Sequence, residues 1–325
     1  MSRYYRVLAC TVGFVFILFC FTNAESKNDR ILLTSFYPIY ISALNVADGV
    51  PGVKVVNMAK PQTGCLHDYQ LTPQDMQLLS FAWALVVNGG GMESFVDKAI
   101  KQQPKLTIIE ASKGIHFMGT SSVTEINNHD AHENCDHGHA TEPANNQQEE
   151  LNPHIWVSVS GAIAQVKNIR DALIKADPTG KAVYTQNAAK YTRDPANLDG
   201  WAKLEVQKIA VSSRKLVTNH DALGYFADRY GFTVLGNVIP SFGTESEPSA
   251  KDTAALINNI RRNNVKAIFT ENIIPPKLVA QVASETDAKV AAPLYTDALG
   301  GVGSSGNTFL KAFRHNVTTI VAALK

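Results

Sequence analysis

Residues 31–59, ILLTSFYPIYISALNVADGVPGVKVVNMA, decide the fold of this chain. Ile31 to Phe36 is an apolar run typical of a buried strand, Tyr37 to Ala47 predicts a helix, and Val53 to Ala59 predicts a second strand. A strand, a helix and a strand in that order favour a parallel sheet covered by helices. The same alternation can be followed outward along most of the chain.

The alternation continues to about residue 110. Ala84 to Asn88 and Leu106 to Glu110 predict two more strands, with a helix from Met92 to Lys101 between them. Another helix is predicted to begin at Thr72 and Pro73, because threonine caps helix N-termini and proline suits the first helical position. The first part of the chain therefore predicts one α/β lobe.

The second half repeats the pattern after a mostly helical run. Helices are predicted from Val159 to Lys175 and from Thr179 to Ala210, where Pro195 predicts a kink or a break. Later strands are predicted at Lys215 to Thr218, Thr233 to Ile239, Val265 to Thr270 and Val290 to Tyr295. The predicted domains are a first lobe (25–158, with an insertion at 125–150), connecting helices (159–210) and a second lobe (211–325).

Residues 1–24 predict a secretory signal peptide. They contain two arginines, then an apolar run of 15 residues, and then the sequence Thr-Asn-Ala. The run is short for a membrane span of about 20 residues. We therefore expect a periplasmic protein; a lipid anchor at Cys20 is the second interpretation, because Phe19 is bulky where that signal needs a small residue.

Export permits a disulfide between Cys65 and Cys135, and two free thiols are the alternative.

The insertion, residues 125–150, holds four histidines and seven carboxylates without a lysine or arginine. Imidazole and carboxylate both bind zinc, so this stretch predicts a secondary, weaker metal site. A solvated acidic loop is the alternative. The histidines concerned are His129, His132, His137 and His139.

The formal net charge of the whole chain is +1, which provides no electrostatic basis for nucleic-acid binding.

Other candidate ligands follow predicted strands. His67 lies in the loop after the second strand, while His220 and Asp297 directly follow strands of the second lobe. His154 ends the histidine-rich stretch. Ligands bind at the carboxyl ends of strands in open α/β sheets, and three imidazoles with one carboxylate would form a closed tetrahedral zinc site. Glu271 also follows a strand and is the alternative carboxylate.

Five segments, in matching order, resemble signature segments of the metal-specific solute-binding proteins of ABC transporters, above all the zinc-binding branch. They are GCLHDYQLTP (64–73), NPHIW (152–156), TNHDALGYFADRYG (218–231), ESEPSAKD (245–252) and PLYTDALG (293–300). The resemblance runs from about Arg30 to the C-terminus and omits the signal and the insertion. At Asn152 the chain departs from the family, which more often has aspartate there.

The resemblance implies two α/β lobes joined by a long rigid helix, with a metal in the cleft between the lobes. It carries the family's ligands onto His67, His154, His220 and Asp297. It also implies high-affinity zinc capture outside the cytoplasmic membrane and delivery to an ABC permease. We expect a monomer that is not an enzyme.

Two alternatives stay open. A manganese-binding solute-binding protein is the first; His220 favours zinc, because some manganese-binding relatives have glutamate there and imidazole suits zinc. A secreted zinc hydrolase is the second, because three histidines on zinc serve catalysis when water takes the fourth position. A fourth protein ligand at Asp297 argues against it. The HExxH motif is also absent, since Asp136 stands four residues after His132.

Overall fold

The computed structural model describes most of the chain outside the N-terminus and the histidine-rich insertion. The described residues are 29–59, 66–119, 151–241, 247–273, 276–301 and 303–325. They form two α/β lobes and a long helix between them, which confirms the predicted fold class. The predicted signal peptide, the predicted secondary site in the insertion and the Cys65–Cys135 alternatives lie outside the described residues.

Each lobe contains a parallel sheet of four strands. The N-terminal lobe has β1 (Arg30–Thr34), β2 (Val53–Asn57), β3 (Ala82–Val87) and β4 (Thr107–Glu110). A short antiparallel ribbon follows, made of β5 (Met118–Gly119) and β6 (Leu151–Asn152). The C-terminal lobe has β7 (Lys215–Thr218), β8 (Thr233–Asn237), β9 (Ala267–Glu271) and β10 (Lys289–Leu294).

The two sheets share one topology. Their strand orders are β2-β1-β3-β4 and β8-β7-β9-β10, so the first strand of each lobe lies between the second and the third. The chain therefore changes direction across the sheet beside β1 and beside β7, and ligands bind at such switch points. All eight predicted strands are present, with ends within two residues of the predicted ones.

Nine helices of the described residues cover the sheets and join the lobes. The N-terminal lobe contains α1 (Tyr37–Ala47), α2 (Pro73–Phe81) and α3 (Asp97–Lys101). The connection contains α4 (Val159–Ala176) and α5 (Lys181–Val206). The C-terminal lobe contains α6 (Gly224–Tyr230), α7 (Ala250–Arg262), α8 (Lys277–Ser284) and α9 (Phe309–Leu324).

Helix α5 is the spine of the molecule. Its 26 residues run unbroken through Pro195, so the predicted break does not occur. A proline removes one intrahelical hydrogen bond and crowds the preceding turn, at a cost of about 3 kcal/mol in a helix interior. Pro195 is buried, and α5 packs against α1 of one lobe and α9 of the other. This tertiary packing maintains the helix across the proline.

The helix predicted from Met92 to Lys101 begins later, because the chain first makes a tight turn. Gly89, Gly90 and Gly91 all have left-handed φ values between +66° and +90°, which favour glycine. The buried carboxylate of Glu93 then accepts hydrogen bonds from the backbone N–H groups of Asn88 (2.5 Å) and Gly89 (3.0 Å). Residues 89–93 are therefore held in a turn, and the α-helix covers only the end of the predicted range.

One cluster of buried apolar side chains runs through both lobes and the spine. It includes Leu32 of β1, Tyr184 of α5, Phe226 of α6 and Phe313 of α9. Because this core crosses from lobe to lobe, separating the lobes widely would expose apolar surface, at a free-energy cost of about 25 cal/mol for each Å² exposed.

No helix of the described residues is long and apolar enough to cross a membrane.

The close contact between α4 and the segment before it predicts a difference between two helical glycines. A Cβ at Gly161 would overlap the backbone carbonyl of Ile155, whereas a Cβ at Gly200 of α5 would have nothing within 4 Å. Gly200→Ala should stabilise the protein by about 0.5–1 kcal/mol, the usual gain in a helix. Gly161→Ala should destabilise it by about 1–3 kcal/mol, because backbone must move.

Equilibrium urea unfolding of both variants measures this difference. A stabilising effect of Gly161→Ala equal to that of Gly200→Ala would contradict the close packing of residues 152–156 against α4.

Candidate metal centre

Three of the predicted ligands meet between the lobes. Nε2 of His154 lies 3.2 Å from Nε2 of His220, and the two nitrogens lie 3.5 and 3.4 Å from the two carboxylate oxygens of Asp297. All three side chains are buried. They form the one group of three or more possible ligand side chains found among the described residues.

His154 is oriented by the residue two positions before it. Asn152 ends β6, and its Oδ1 accepts hydrogen bonds from the backbone N–H of His154 (3.0 Å) and from Nδ1–H of its ring (2.9 Å). With the ring proton on Nδ1, the lone pair of Nε2 points at the cluster. A short 3₁₀ turn, Ile155–Val157, then leads into α4, whose N-terminus is capped by Ser158.

His220 is oriented by Glu271. His220 lies two residues past β7, and its Nδ1 is 2.8–2.9 Å from the carboxylate of Glu271, the last residue of the neighbouring strand β9. The same carboxylate accepts hydrogen bonds from the backbone N–H of His220 (3.1 Å) and the hydroxyl of Thr296 (2.5 Å). Glu271 therefore lies behind His220, where an outer carboxylate fixes the ring and strengthens its basicity.

Asp297 supplies the negative charge at the centre. It lies three residues past β10, and neither carboxylate oxygen has a hydrogen-bond partner among the described residues, although both face the two imidazoles. Burial acts to raise the pKa of Asp297, but the imidazoles of His220 and His154 outweigh it and hold that pKa well below its usual range. The group is therefore an ionised carboxylate that needs a cation beside it.

His67, the fourth predicted ligand, stands next to this cluster. Its ring centroid is 5.5 Å from that of His154, and it is half-buried. It lies in a 3₁₀ turn, Leu66–Asp68, and the Tyr69 hydroxyl beyond it donates to Asp75 (2.8 Å). Asp75 completes the capping box of α2. The His67 loop is thus attached to the N-terminal lobe.

The histidines differ in their affinity for protons. Burial lowers the pKa of His67 and lowers that of His154 well below its ordinary value. Burial also opposes the charge on His220, but the carboxylates of Glu271 and Asp297 outweigh it and raise the pKa of His220 well above its ordinary value. Without a metal, His220 is the group that holds the proton of the cluster.

These donors form a buried site for a divalent metal. Nε2 of two imidazoles and an ionised carboxylate converge on one point, and each histidine has its other nitrogen bonded to an acceptor. Imidazole and carboxylate are ligands of zinc and of several other divalent metals.

Sequence reasoning missed the residues that hold these donors in place. They are Asn152, Trp156, Tyr225 and Thr296, which hydrogen-bond to or beside the three donors. The available signal was position, since three of the four lie within two residues of a predicted ligand.

Comparison with known proteins places this arrangement in a family. The family profile of zinc-uptake complex component A, periplasmic (ZnuA), matches residues 32–323. The zinc-binding protein TroA of Treponema pallidum is 34% identical over 331 aligned residues, covering 98% of each chain. The high-affinity zinc uptake system protein ZnuA of Bacillus subtilis is 32% identical over 82% of this chain and 79% of its own.

Similar proteins are not all named for zinc. The manganese-binding lipoprotein MntA of Halalkalibacterium halodurans is 26% identical over 79% of this chain and 77% of its own. Among solved structures, the periplasmic zinc-binding protein TroA from Treponema pallidum superimposes with a TM-score of 0.76 at 27% identity, covering 91% of this chain and 99% of that one. The relatives thus agree on divalent metal binding and divide over which metal.

The raised pKa of His220 predicts that metal affinity depends on pH. A metal needs a free lone pair on Nε2, so binding below that pKa displaces about one proton per ion. The dissociation constant should therefore fall about tenfold for each unit that the pH rises, until the pH reaches the pKa of His220. Competitive metal titration between about pH 6 and pH 7, with calorimetry in buffers of different ionisation enthalpy, measures both effects. An equal affinity across this range, without proton release, would contradict it.

The different positions of Glu271 and Asp297 predict different losses on substitution. Glu271→Gln keeps an acceptor for Nδ1–H of His220 and should weaken metal binding by about 10- to 100-fold, as outer partners do. Asp297→Asn removes a charged group facing both imidazoles and should weaken binding more. Competitive titration of both variants checks the order. If Glu271→Gln cost more than Asp297→Asn, Glu271 would be the carboxylate that binds the metal.

Proposed function

The chain belongs to the family of zinc-uptake complex component A proteins, and we propose that it captures zinc outside the cytoplasmic membrane and delivers it to an ABC permease. Membership makes it an extracytoplasmic divalent-metal solute-binding protein of an ABC uptake system rather than an enzyme. The proposal has three finer parts. They are zinc as the cargo, a soluble periplasmic and monomeric state, and a division into a first lobe (25–158), connecting helices (159–210) and a second lobe (211–325).

The proposed ligands are His67, His154, His220 and Asp297. The observation that carries this proposal is the convergence of two imidazole nitrogens and a carboxylate at 3.2–3.5 Å. A tetrahedral zinc ion with bonds of about 2.0–2.1 Å separates its ligand atoms by about 3.3–3.4 Å. His67 would complete the tetrahedron after a small movement of its loop, closing the position that a hydrolase leaves to water.

Zinc is favoured over manganese by the donor atoms. Three imidazoles and one carboxylate suit zinc, whereas manganese prefers carboxylate, carbonyl and water oxygens. Burial of the cluster also disfavours the extra water ligands of a higher coordination number. Manganese is the second candidate, supported by the similarity to the manganese-binding lipoprotein MntA.

A competitive titration with zinc and manganese tests the choice of metal and the ligand set. It uses the chain without residues 127–148, because this deletion removes the histidines of the insertion. We expect one tight zinc site that manganese does not displace at equal concentration. Free zinc at 100 times the dissociation constant should add about 2.7 kcal/mol to the free energy of unfolding. His67→Ala should weaken zinc binding by more than the roughly 100-fold upper range of an outer partner.

His116→Ala is the matched control, since His116 is exposed. It should bind zinc as the parent does. A site that prefers manganese would overturn the choice of metal. Equal zinc affinity in His67→Ala and His116→Ala would remove His67 from the ligand set.

A further inference from the structure

The segment that carries His154 is bonded to the C-terminal lobe on both sides of that histidine. Before it, Nδ2–H of Asn152 donates to the backbone carbonyl of Asp221 at 3.0 Å. After it, Nε1–H of Trp156 donates to the backbone carbonyl of Thr296 at 2.9 Å. Asp221 directly follows His220, and Thr296 directly precedes Asp297. Each bond therefore joins the His154 segment to a loop that carries another donor.

A third contact between the lobes reinforces the first. The hydroxyl of Tyr225, in α6, donates to the backbone carbonyl of Asn152 at 2.7 Å and accepts from the backbone N–H of Met118 at 3.0 Å. Tyr225 thus fixes both strands of the β5–β6 ribbon to the C-terminal lobe. Asn152 is bonded to that lobe through its backbone and its side chain, while its Oδ1 orients His154.

Packing fixes the other end of the segment. The ring of Trp156 meets Phe36 edge to face at 4.8 Å between centroids and lies 5.1 Å from the ring of His154. Asn152, His154 and Trp156 are all at most 5% exposed. In such a site a hydrogen bond meets little competition from water, and a lost partner leaves a buried polar group unsatisfied.

We propose that Asn152, Trp156 and Tyr225 form an interlobe clamp that assembles three metal donors before the metal arrives. They are positioning residues, because none of them is a proposed ligand. The clamp holds Nε2 of His154 at binding distance from His220 and Asp297, which are held by the other lobe. His67, attached to α2 instead, is the donor left to complete the site. This inference rests on the proposed metal-binding function.

The energetic role of the clamp follows from the donors themselves. The donors come from two lobes, so bringing them to within 3.2–3.5 Å of one another costs the metal-free chain conformational entropy. If only a fraction of metal-free molecules has the donors together, the apparent dissociation constant rises by the inverse of that fraction. The clamp keeps this fraction high, and its loss should appear as slower metal association.

Three variants test the clamp in the full chain with zinc as the probe. Tyr225→Phe removes one hydroxyl, Trp156→Phe removes the indole N–H but keeps an aromatic ring, and the third variant combines them. Trp156→Phe, which loses one hydrogen bond, should raise the zinc dissociation constant about three- to tenfold, and Tyr225→Phe, which loses two, should raise it at least as much. The rise should come from a lower association rate in stopped-flow measurements.

Tyr230→Phe is the matched control. Its hydroxyl, in α6, donates to Asp199 of the connecting helix α5 at 2.8 Å and contacts none of the metal donors. It should lower the melting temperature of the metal-free protein about as much as Tyr225→Phe does and leave zinc affinity unchanged. Parent-like zinc affinity in Tyr225→Phe and Trp156→Phe would overturn the clamp. So would a loss confined to the dissociation rate, because the contacts would then matter only after binding.

The same data separate this inference from the proposed function. If the parent chain bound no zinc tightly, the proposed function would fail first. If the parent bound zinc and the clamp variants bound it equally well, only the clamp would fail.

Discussion

The structure depends on one buried carboxylate held against imidazoles from opposite lobes. Asp297 is ionised and almost fully buried, and its oxygens face Nε2 of His154 and of His220. A buried charge without compensation costs several kcal/mol, so this carboxylate requires a cation beside it. Because the two histidines come from different lobes, that requirement also couples the lobes. Metal binding and lobe arrangement are therefore parts of one equilibrium.

The core limits how the lobes can move. A hinge protein opens by bending a few loop residues between two separate cores. Here the main apolar cluster passes through α1, α5 and α9, and α5 contacts both lobes. Wide opening would expose this cluster to water, whereas small adjustments of ligand loops would not. His67 is half-buried while the other three proposed ligands are fully buried, so the smallest movement that changes the site is at its loop.

The sequence predicted the strands and helices well, but it predicted poorly which of them lie next to one another in the fold. Strands and caps follow local rules, and Thr72 caps its helix as predicted. Strand order is not local. Since β9 lies between β7 and β10, Glu271 ends beneath the two loops that carry His220 and Asp297. From the sequence alone, Glu271 and Asp297 look equivalent, because each follows a strand. The predicted break at Pro195 was wrong for a related reason, since burial of the helix around it cannot be seen in a local pattern.

The proton and the metal compete for the same nitrogen in this site. Glu271 and Asp297 raise the pKa of His220, and the same two carboxylates attract a divalent cation. In the metal-free protein the proton on His220 partly neutralises Asp297, which lowers the cost of keeping the carboxylate buried next to His154. The proton on His220 thus takes the place of the metal ion beside Asp297, with similar neighbours and a smaller positive charge. A site that keeps its shape in both states can exchange its ion without unfolding the core around it.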